Sequence, residues 1–174
     1  MISSTNRENS KTFNLSLKLC ALAKEKNMEV TLISLVDFNS DFIHKEMYEE
    51  HSIPASLVQH QDNYLIPAKK IVFIIPEYNG SFPGILKLWI DILCMRKAKA
   101  SFESKNVGLI GLSDGRSGNL RGLDQFILIA RYLKMIIFPS YVTIPHIEKV
   151  LSEWNNDSEI KKRISKFLND FNAL

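Results

Sequence analysis

The sequence predicts an α/β fold: a doubly wound parallel sheet with helices on both faces. Three observations carry this. Short apolar runs rich in β-branched residues recur at 30–33, 71–75, 107–112 and 135–138. Segments with helical spacing lie between them. The runs are continuously apolar rather than alternating, as strands covered on both faces require. Strand and helix in alternation build parallel crossover units, and these stack into layers around one sheet.

Each element follows from its own pattern. The first helical window spans 12–26, where Phe13, Leu15, Leu17, Leu19, Cys20 and Leu22 sit among helix formers. Lys26 and Asn27 end it ahead of the strand at 30–33. Residues 38–66 carry the weakest pattern: 44–50 reads as a short helix or a polar excursion, and 57–64 as a helix leading into 71–75. Pro76 stops that strand. A strongly apolar helix then starts at Gly84, with Ile85, Leu86, Leu88, Trp89, Ile92 and Leu93. Its apolar arc is wider than one sheet face needs, so part of it is expected to meet another chain unless 38–66 folds over it. Leu120, Leu123, Phe126, Ile127, Ala130 and Leu133 mark a cleaner helical stripe after the third run. Pro139 stops the fourth. At the end, Ile160, Ile164, Phe167, Leu168 and Phe171 recur at helical spacing, and Lys161, Lys162, Arg163 and Lys166 form a solvated basic face.

Composition bounds the function. The 174 residues make one domain, 1–174, without a linker or repeat. Apolar residues make up 45% and charged residues 24%, which excludes a disordered or fibrous chain. A net charge of +3, from scattered basic residues, does not describe a nucleic-acid binder. Cys20 and Cys94 stand far apart, outside any CxxC pair, so neither a disulfide scaffold nor a zinc site is expected. The longest unbroken apolar run, 71–75, cannot span a bilayer. The polar start and Lys18 within 15–23 do not form a signal peptide, so a cytoplasmic location is expected. His44, His51, His60 and His146 share no metal-ligand spacing, Ser113 lacks the GxSxG elbow, and no paired catalytic carboxylates emerge.

In such sheets ligands bind beyond the carboxyl ends of the strands. Three segments there are unusual. Residues 4–12, Ser-Thr-Asn-Arg-Glu-Asn-Ser-Lys-Thr, run into a helix N-terminus. They read either as a phosphate cradle, with Arg7 adding charge, or as a capped helix with a polar entry. They lack GxGxxG and GxxxxGK[ST], which excludes dinucleotide-type and P-loop sites. Residues 76–84, Pro-Glu-Tyr-Asn-Gly-Ser-Phe-Pro-Gly, combine turn residues, an aromatic ring and amide donors. Such parts suit the face and rim of a planar heteroaromatic ligand, or simply a tight loop with Tyr78 packed on the surface. Residues 113–119, Ser-Asp-Gly-Arg-Ser-Gly-Asn, allow close backbone approach through their glycines. Arg116 there either meets a phosphate or pairs with Asp114.

Residues 76–87, together with Ile90-Asp91, resemble the signature of the NADPH-dependent FMN reductase family, which includes quinone, azo-dye and chromate reductases. The first loop is similar to that family's G-S-x-R-x-x-S-x-N phosphate loop. Arg7 and Ser10 match it, Thr5 stands for its Ser, Ser4 for its Gly and Thr12 for its Asn. In the third loop Ser113, Gly115 and Gly118 are in place. The resemblance runs from Met1 to about Leu133. It implies a flavodoxin-like, five-stranded, three-layer α/β/α domain that binds FMN and oxidises NADPH or NADH, passing electrons to a small-molecule acceptor such as flavin or quinone. It implies that Thr5, Arg7, Ser10, Lys11 and Thr12 hold the FMN phosphate. Pro76, Glu77, Tyr78, Asn79 and Gly80 would line the isoalloxazine, with Tyr78 beside the ring, and Ser113, Gly115 and Arg116 would close the far edge. No side-chain acid or base is expected, because the cofactor carries the chemistry. A homodimer or homotetramer, no nucleic acid and no membrane complete the expectation. The family's first strand has several more residues before the loop; here three precede Ser4, so either that strand is clipped short or residues are missing upstream. The rival readings are a flavodoxin-like electron carrier, which +3 disfavours, and a binding module without nicotinamide activity.

Overall fold

The computed structural model describes residues 1–38, 44–156 and 158–174. Its centre is a parallel ladder between β3 (Lys70–Pro76) and β4 (Asn106–Leu112), paired residue for residue from Lys70↔Asn106 to Pro76↔Leu112. β1 (Ile2–Ser3) lies on the other side of β3, opposite Phe73 and Ile74, and β2 (Ile33–Ser34) lies outside β1. β5 (Ile136–Ile137) pairs with the start of β4, and β6 (Val142–Ile144) with its end. β5 and β6 therefore share one position in the sheet, divided around Pro139, whose nitrogen cannot join a ladder. The strand order is β2-β1-β3-β4-β5, so the expected five-position doubly wound sheet is present.

β1 is two residues long, as expected, and the strand expected at 30–33 is confined beside it to Ile33–Ser34. β1 pairs only with Ile33 and Ser34, so Val30 and Thr31 lie outside the ladder, where the Met1 ammonium donates to the Thr31 carbonyl at 2.7 Å. Strands need neighbours more than they need composition.

The helices are α1 (Lys11–Glu25), α2 (Ala55–His60), α3 (Gly84–Phe102), α4 (Leu120–Tyr132), α5 (Ile147–Ser152) and α6 (Glu159–Asn172). α3 and α4 cover one sheet face, where Phe73, Ile75 and Leu109 meet Leu86, Trp89, Leu93 and Phe126. α1, α5 and α6 cover the other, where Ile74, Ile110 and Leu112 meet Leu15, Leu19, Ile147, Ile164 and Phe167. β6 and α5 carried no sequence signal long enough to read.

The apolar surplus of α3 is used inside the chain. Ile53, Leu57 and Leu65 join Trp89, Ile92 and Leu93 in one core, so the segment after residue 50 folds over this helix. Of the two alternatives for this surplus, the cover from within 38–66 takes Trp89, Ile92 and Leu93 out of water, while Ile85, Leu88 and Cys94 stay only partly buried. Residues 39–43, within the weakly patterned stretch, lie outside the described residues. The cover is fastened by polar groups. A single π-turn spans Gln61–Leu65, and α3 departs from helical geometry at Lys97. The buried Gln61 amide donates to the Leu93 carbonyl at 2.9 Å and to Ser101 Oγ at 2.8 Å. Arg96 donates to both Asp62 oxygens at 2.8 Å. With Lys97 it holds the Asp62 carboxyl down at about 2.

Gly111 and Gly118 bring β4 and the loop after it into contact. A Cβ at Gly111 would stand 2.5 Å from the Gly118 carbonyl oxygen and 3.0 Å from Leu123 Cδ1. Gly111→Ala is expected to lower stability by about 1–3 kcal/mol, the range for overpacking a filled site. Urea denaturation checks it; an unchanged midpoint would show that the loop yields freely.

Candidate functional site

The sheet order reverses between β1 and β3: β1 leads to β2 on one side and β3 leads to β4 on the other. The crevice at this reversal lies beyond the carboxyl ends of β1, β3 and β4. Three loops surround it, and each is tied to the other two.

The first loop, 4–10, leaves β1 through Ser4, whose N–H donates to the Ile74 carbonyl at 3.1 Å. Ser10 caps α1, its Oγ accepting from the Phe13 N–H at 3.1 Å. Asn9 ahead of it has φ +50°, a left-handed turn that asparagine tolerates. The N–H groups of Lys11 and Thr12, in the first turn, have no intrahelical acceptor, and no acidic residue occupies that turn. Thr5 is fully buried, while Arg7 is exposed and its guanidinium has no partner among the described residues. Thr12 is also buried, beneath the loop rather than on its surface.

The second loop opens at Glu77, whose N–H donates to the Leu112 carbonyl at 2.9 Å. Tyr78 and Ser81 exchange two backbone hydrogen bonds, of 2.9 and 3.0 Å, around Asn79 and Gly80. Both central residues have positive φ, +52° and +78°, as a type I′ turn demands of an Asn-Gly pair. Ser81 Oγ donates to Gln125 Oε1, and Phe82 packs edge-on against Phe126 at 6.0 Å, fixing the turn to α4.

The third loop, 113–119, folds around its own serine. Ser113 Oγ donates to the Gly115 carbonyl at 3.1 Å and accepts from the Gly118 N–H at 3.0 Å. Gly118 has φ +57°, and a Cβ there would stand 2.6 Å from the Ile144 nitrogen, so this position is closed to other residues.

Side chains from different loops then meet. Tyr78 Oη lies 2.5 Å from Thr5 Oγ1, joining the second loop to the first. The Arg7 N–H also donates to Thr5 Oγ1, at 3.3 Å. Lys11 Nζ reaches the third loop, donating to Asp114 Oδ1 at 2.7 Å and to Glu148 Oε2 at 3.3 Å. Ser117 Oγ donates to Glu77 Oε2 at 2.6 Å, and Arg121 Nη2 donates to Glu77 Oε1 at 3.2 Å.

The residues expected from the sequence are thus brought to one crevice, with several side chains turned to other tasks. Tyr78 directs its hydroxyl at the first loop. Lys11 and the Glu77 carboxylate tie loops together. Asp114 pairs with Lys11 and not with Arg116, which is exposed and without a partner among the described residues. Two residues went unassigned in the sequence. Asn119, wholly buried at φ +65°, donates from Nδ2 to the Ile75 and Pro76 carbonyls, both at 3.0 Å, and pins the third loop to the end of β3. Its sequence signal is an asparagine immediately before a helical stripe. His146, also left-handed at φ +49°, places its N–H 3.2 Å from the Gly115 carbonyl and its Nδ1 3.1 Å from the Asp114 carbonyl. A cavity of about 570 Å³ opens elsewhere, at the opposite end of the sheet beside Met1, Thr31 and Lys70, where β1 gives way.

Asn119→Ala removes the amide that donates to the Ile75 and Pro76 carbonyls. It is expected to cost about 1–3 kcal/mol, and measurably more than any exposed substitution in the same loop. Thermal unfolding of Asn119→Ala beside Arg116→Ala makes the comparison, and equal midpoints would remove the pin.

The chain matches the family model described as NADPH-dependent FMN reductase over residues 1–149. Among solved structures it is similar to an NADH:FMN oxidoreductase in its apo form, with a TM-score of 0.74 at 16% identity, covering 98% of this chain and 85% of that one. It is similar to an NAD(P)H:(acceptor) oxidoreductase from Paracoccus denitrificans, with a TM-score of 0.70 at 22% identity and coverage of 98% and 92%. An azoreductase from Bacillus anthracis gives a TM-score of 0.63 at 14% identity, covering 99% and 97%. A search of curated proteins finds no significant match. At these identities the structures share the fold, and the family match carries the chemistry. Sheet order, crevice and family match together place the chain in the NADPH-dependent FMN reductase family, as an NAD(P)H-dependent flavin oxidoreductase whose cofactor is FMN.

Proposed function

We propose that the crevice between the three loops is the FMN site and that the first loop receives the phosphate. The observation that carries this is the donor set around Thr5. The Thr5 and Tyr78 hydroxyls stand 2.5 Å apart, Arg7 is unpaired among the described residues, and the first-turn amides of Lys11 and Thr12 are open. A dianionic phosphate needs several N–H and O–H donors and a cation, without a competing carboxylate in the first turn; this set fits. Ser10 keeps its hydroxyl proton, since its oxygen serves the cap as acceptor. Tyr78 belongs with the phosphate donors through its hydroxyl and with the ring edge through its backbone. The segment from Pro76 to Gly80 presents a rigid turn to the isoalloxazine. Ser113, Gly115 and Arg116 face it from the third loop.

When bound, FMN accepts two electrons as hydride from NAD(P)H and delivers them to a second small molecule. The chain binds and orients the flavin and leaves one rim open, where Arg7 and Arg116 supply positive charge for an anionic nicotinamide nucleotide. Glu77 is engaged by Ser117 and Arg121, and the acceptor in this reading is a small planar molecule such as free flavin or quinone. Free half-buried thiols at Cys20 and Cys94 suit the reducing cytoplasm that holds the nicotinamide pool. No helix is long and apolar enough to cross a membrane among the described residues.

A second copy of the chain belongs on the groove between α3 and α4, about 550 Å³, lined by Ile90, Cys94, Leu128 and Tyr132 with Lys87 and Asp91 at its edge. Leu128 is 66% and Tyr132 85% exposed, a large apolar surface to leave in water. Arg121, Gln125, Leu128 and Tyr132 form one stripe of α4 that runs from the groove to the second loop, so a twofold partner here borders the flavin crevice.

Arg7→Ala is expected to weaken FMN by about 1.5–3 kcal/mol while leaving riboflavin affinity unchanged, the range for a bond to a charged group. Tyr78→Phe is expected to narrow the preference for FMN over riboflavin in the same titration. Wild-type protein that binds FMN and riboflavin equally would overturn the phosphate assignment. NADPH reduction of the flavin under anaerobic conditions separates the reductase from a carrier. For assembly, sedimentation at micromolar concentration is expected to give a species of twice the chain mass, and Leu128→Glu a monomer; a wild-type monomer with full activity would refute the dimer.

A further inference from the structure

Lys11 stands at the start of the helix that meets the phosphate loop, yet its ammonium is turned across the crevice. It donates to Asp114 Oδ1 at 2.7 Å and to Glu148 Oε2 at 3.3 Å, so one cation joins α1, the third loop and α5. Both carboxylates are more than two-thirds exposed, and the hydrogen bond that Lys11 donates to Asp114 is the main reason that its ammonium pKa is raised above the ordinary lysine value. The carboxylates gain no other cation among the described residues. Asp114 is further fixed through its carbonyl, 3.1 Å from His146 Nδ1, and the next residue, Gly115, accepts from the His146 N–H at 3.2 Å. The Ile147 N–H donates to the Ser113 carbonyl at 3.1 Å. Every bond that shapes 113–115 therefore comes from within the loop, from the β6–α5 junction or from Lys11. Among the described residues the Arg7 guanidinium, unlike the Lys11 ammonium, has no such engagement.

We propose that the Lys11 side chain is a positioning group for the third loop, setting the wall against the far edge of the flavin, and that its ammonium, unlike its backbone N–H, is not a phosphate ligand. The proposal rests on the FMN reading of the crevice. A cation bound to phosphate discriminates FMN from riboflavin. A cation that holds the wall acts on the ring, which both flavins share. The two roles therefore separate in a measurement that compares the two ligands.

The test titrates apoprotein with FMN and with riboflavin by flavin fluorescence, for wild type, Lys11→Met, Asp114→Asn and the double variant, beside amide hydrogen exchange of each apoprotein. Lys11→Met is expected to weaken both flavins by the same factor, roughly two- to fivefold for exposed ion pairs, leaving their ratio unchanged. Asp114→Asn is expected to do the same, and the double variant to lose no more than either single variant, because the two groups act as a pair. Lys11→Arg is expected to restore most of the loss. In the apoprotein, exchange at the Gly118, His146 and Ile147 amides is expected to quicken in Lys11→Met, with α3 and α4 unchanged. Loss of FMN affinity alone, with riboflavin and exchange unaltered, would make Lys11 a phosphate ligand and overturn the proposal. No change in either flavin or in exchange would overturn it as well. Wild type that binds neither flavin would defeat the FMN reading of the crevice, and the exchange comparison would still decide whether Lys11 orders the loop.

Discussion

The seven-residue parallel ladder between β3 and β4 is the constraint on which the rest of the molecule depends. Every other strand is two or three residues long and pairs with one of these two or with a strand that does. Strands that short do not persist alone. They are held because Ile71 to Ile75 and Val107 to Leu112 are buried on both faces by two helical layers, with Phe73, Ile74, Ile75, Val107 and Ile110 wholly out of water. The same register fixes the crevice. Pro76 lies opposite Leu112, so the second and third loops leave the sheet at one level and side by side. Glu77 then accepts from Ser117, and Asn119 reaches back to Ile75 and Pro76, across a distance that the ladder has already set.

Left-handed backbone is frequent at this end of the sheet, beside Asn27, Ser104 and Lys134 at turns elsewhere. Asn9, Asn79, Gly80, Gly118, Asn119 and His146 all have positive φ and all belong to the three loops or to the junction that braces them. Asparagine and glycine are the residues that enter this region at least cost, so local sequence and local geometry agree at five of these six positions. His146 is the exception. It is held there by its two hydrogen bonds to the third loop, which trade local ease for a fixed wall.

The ladder strands were legible because burial on both faces writes a continuous β-branched run into the chain. The short strands were not, since Ile33–Ser34 and Ile136–Ile137 owe their state to whichever neighbour lies alongside. The first-loop motif and the Pro-Glu-Tyr-Asn-Gly run located the crevice on residues. They did not locate side-chain atoms: the reach of Tyr78 to Thr5 and of Lys11 to Asp114 is set by pairs 73 and 103 positions apart in sequence. Asn119 was visible as a residue and silent as a contact, for the same reason. The wide apolar arc of α3 signals burial on more than one side; the helix expected at 57–64 is present as α2 and the π-turn after it, but nothing in the weak periodicity of 38–66 tells that Ile53, Leu57 and Leu65 pack on α3.

The break at Pro139 has a consequence for how the protein behaves in company. A sheet with open edges invites further strands, and a long flat edge is a template for growth from molecule to molecule. Here one margin is β2, two residues long, and the other is β5 and β6, stepped around a proline. Ile136 stands 54% exposed on that margin, yet it belongs to a strand of two residues beside a proline that cannot donate. Neither margin offers a run of free amides long enough to register an incoming strand. The fold thus keeps its adhesive interior confined to two central strands, and crowding at high concentration finds no edge to extend.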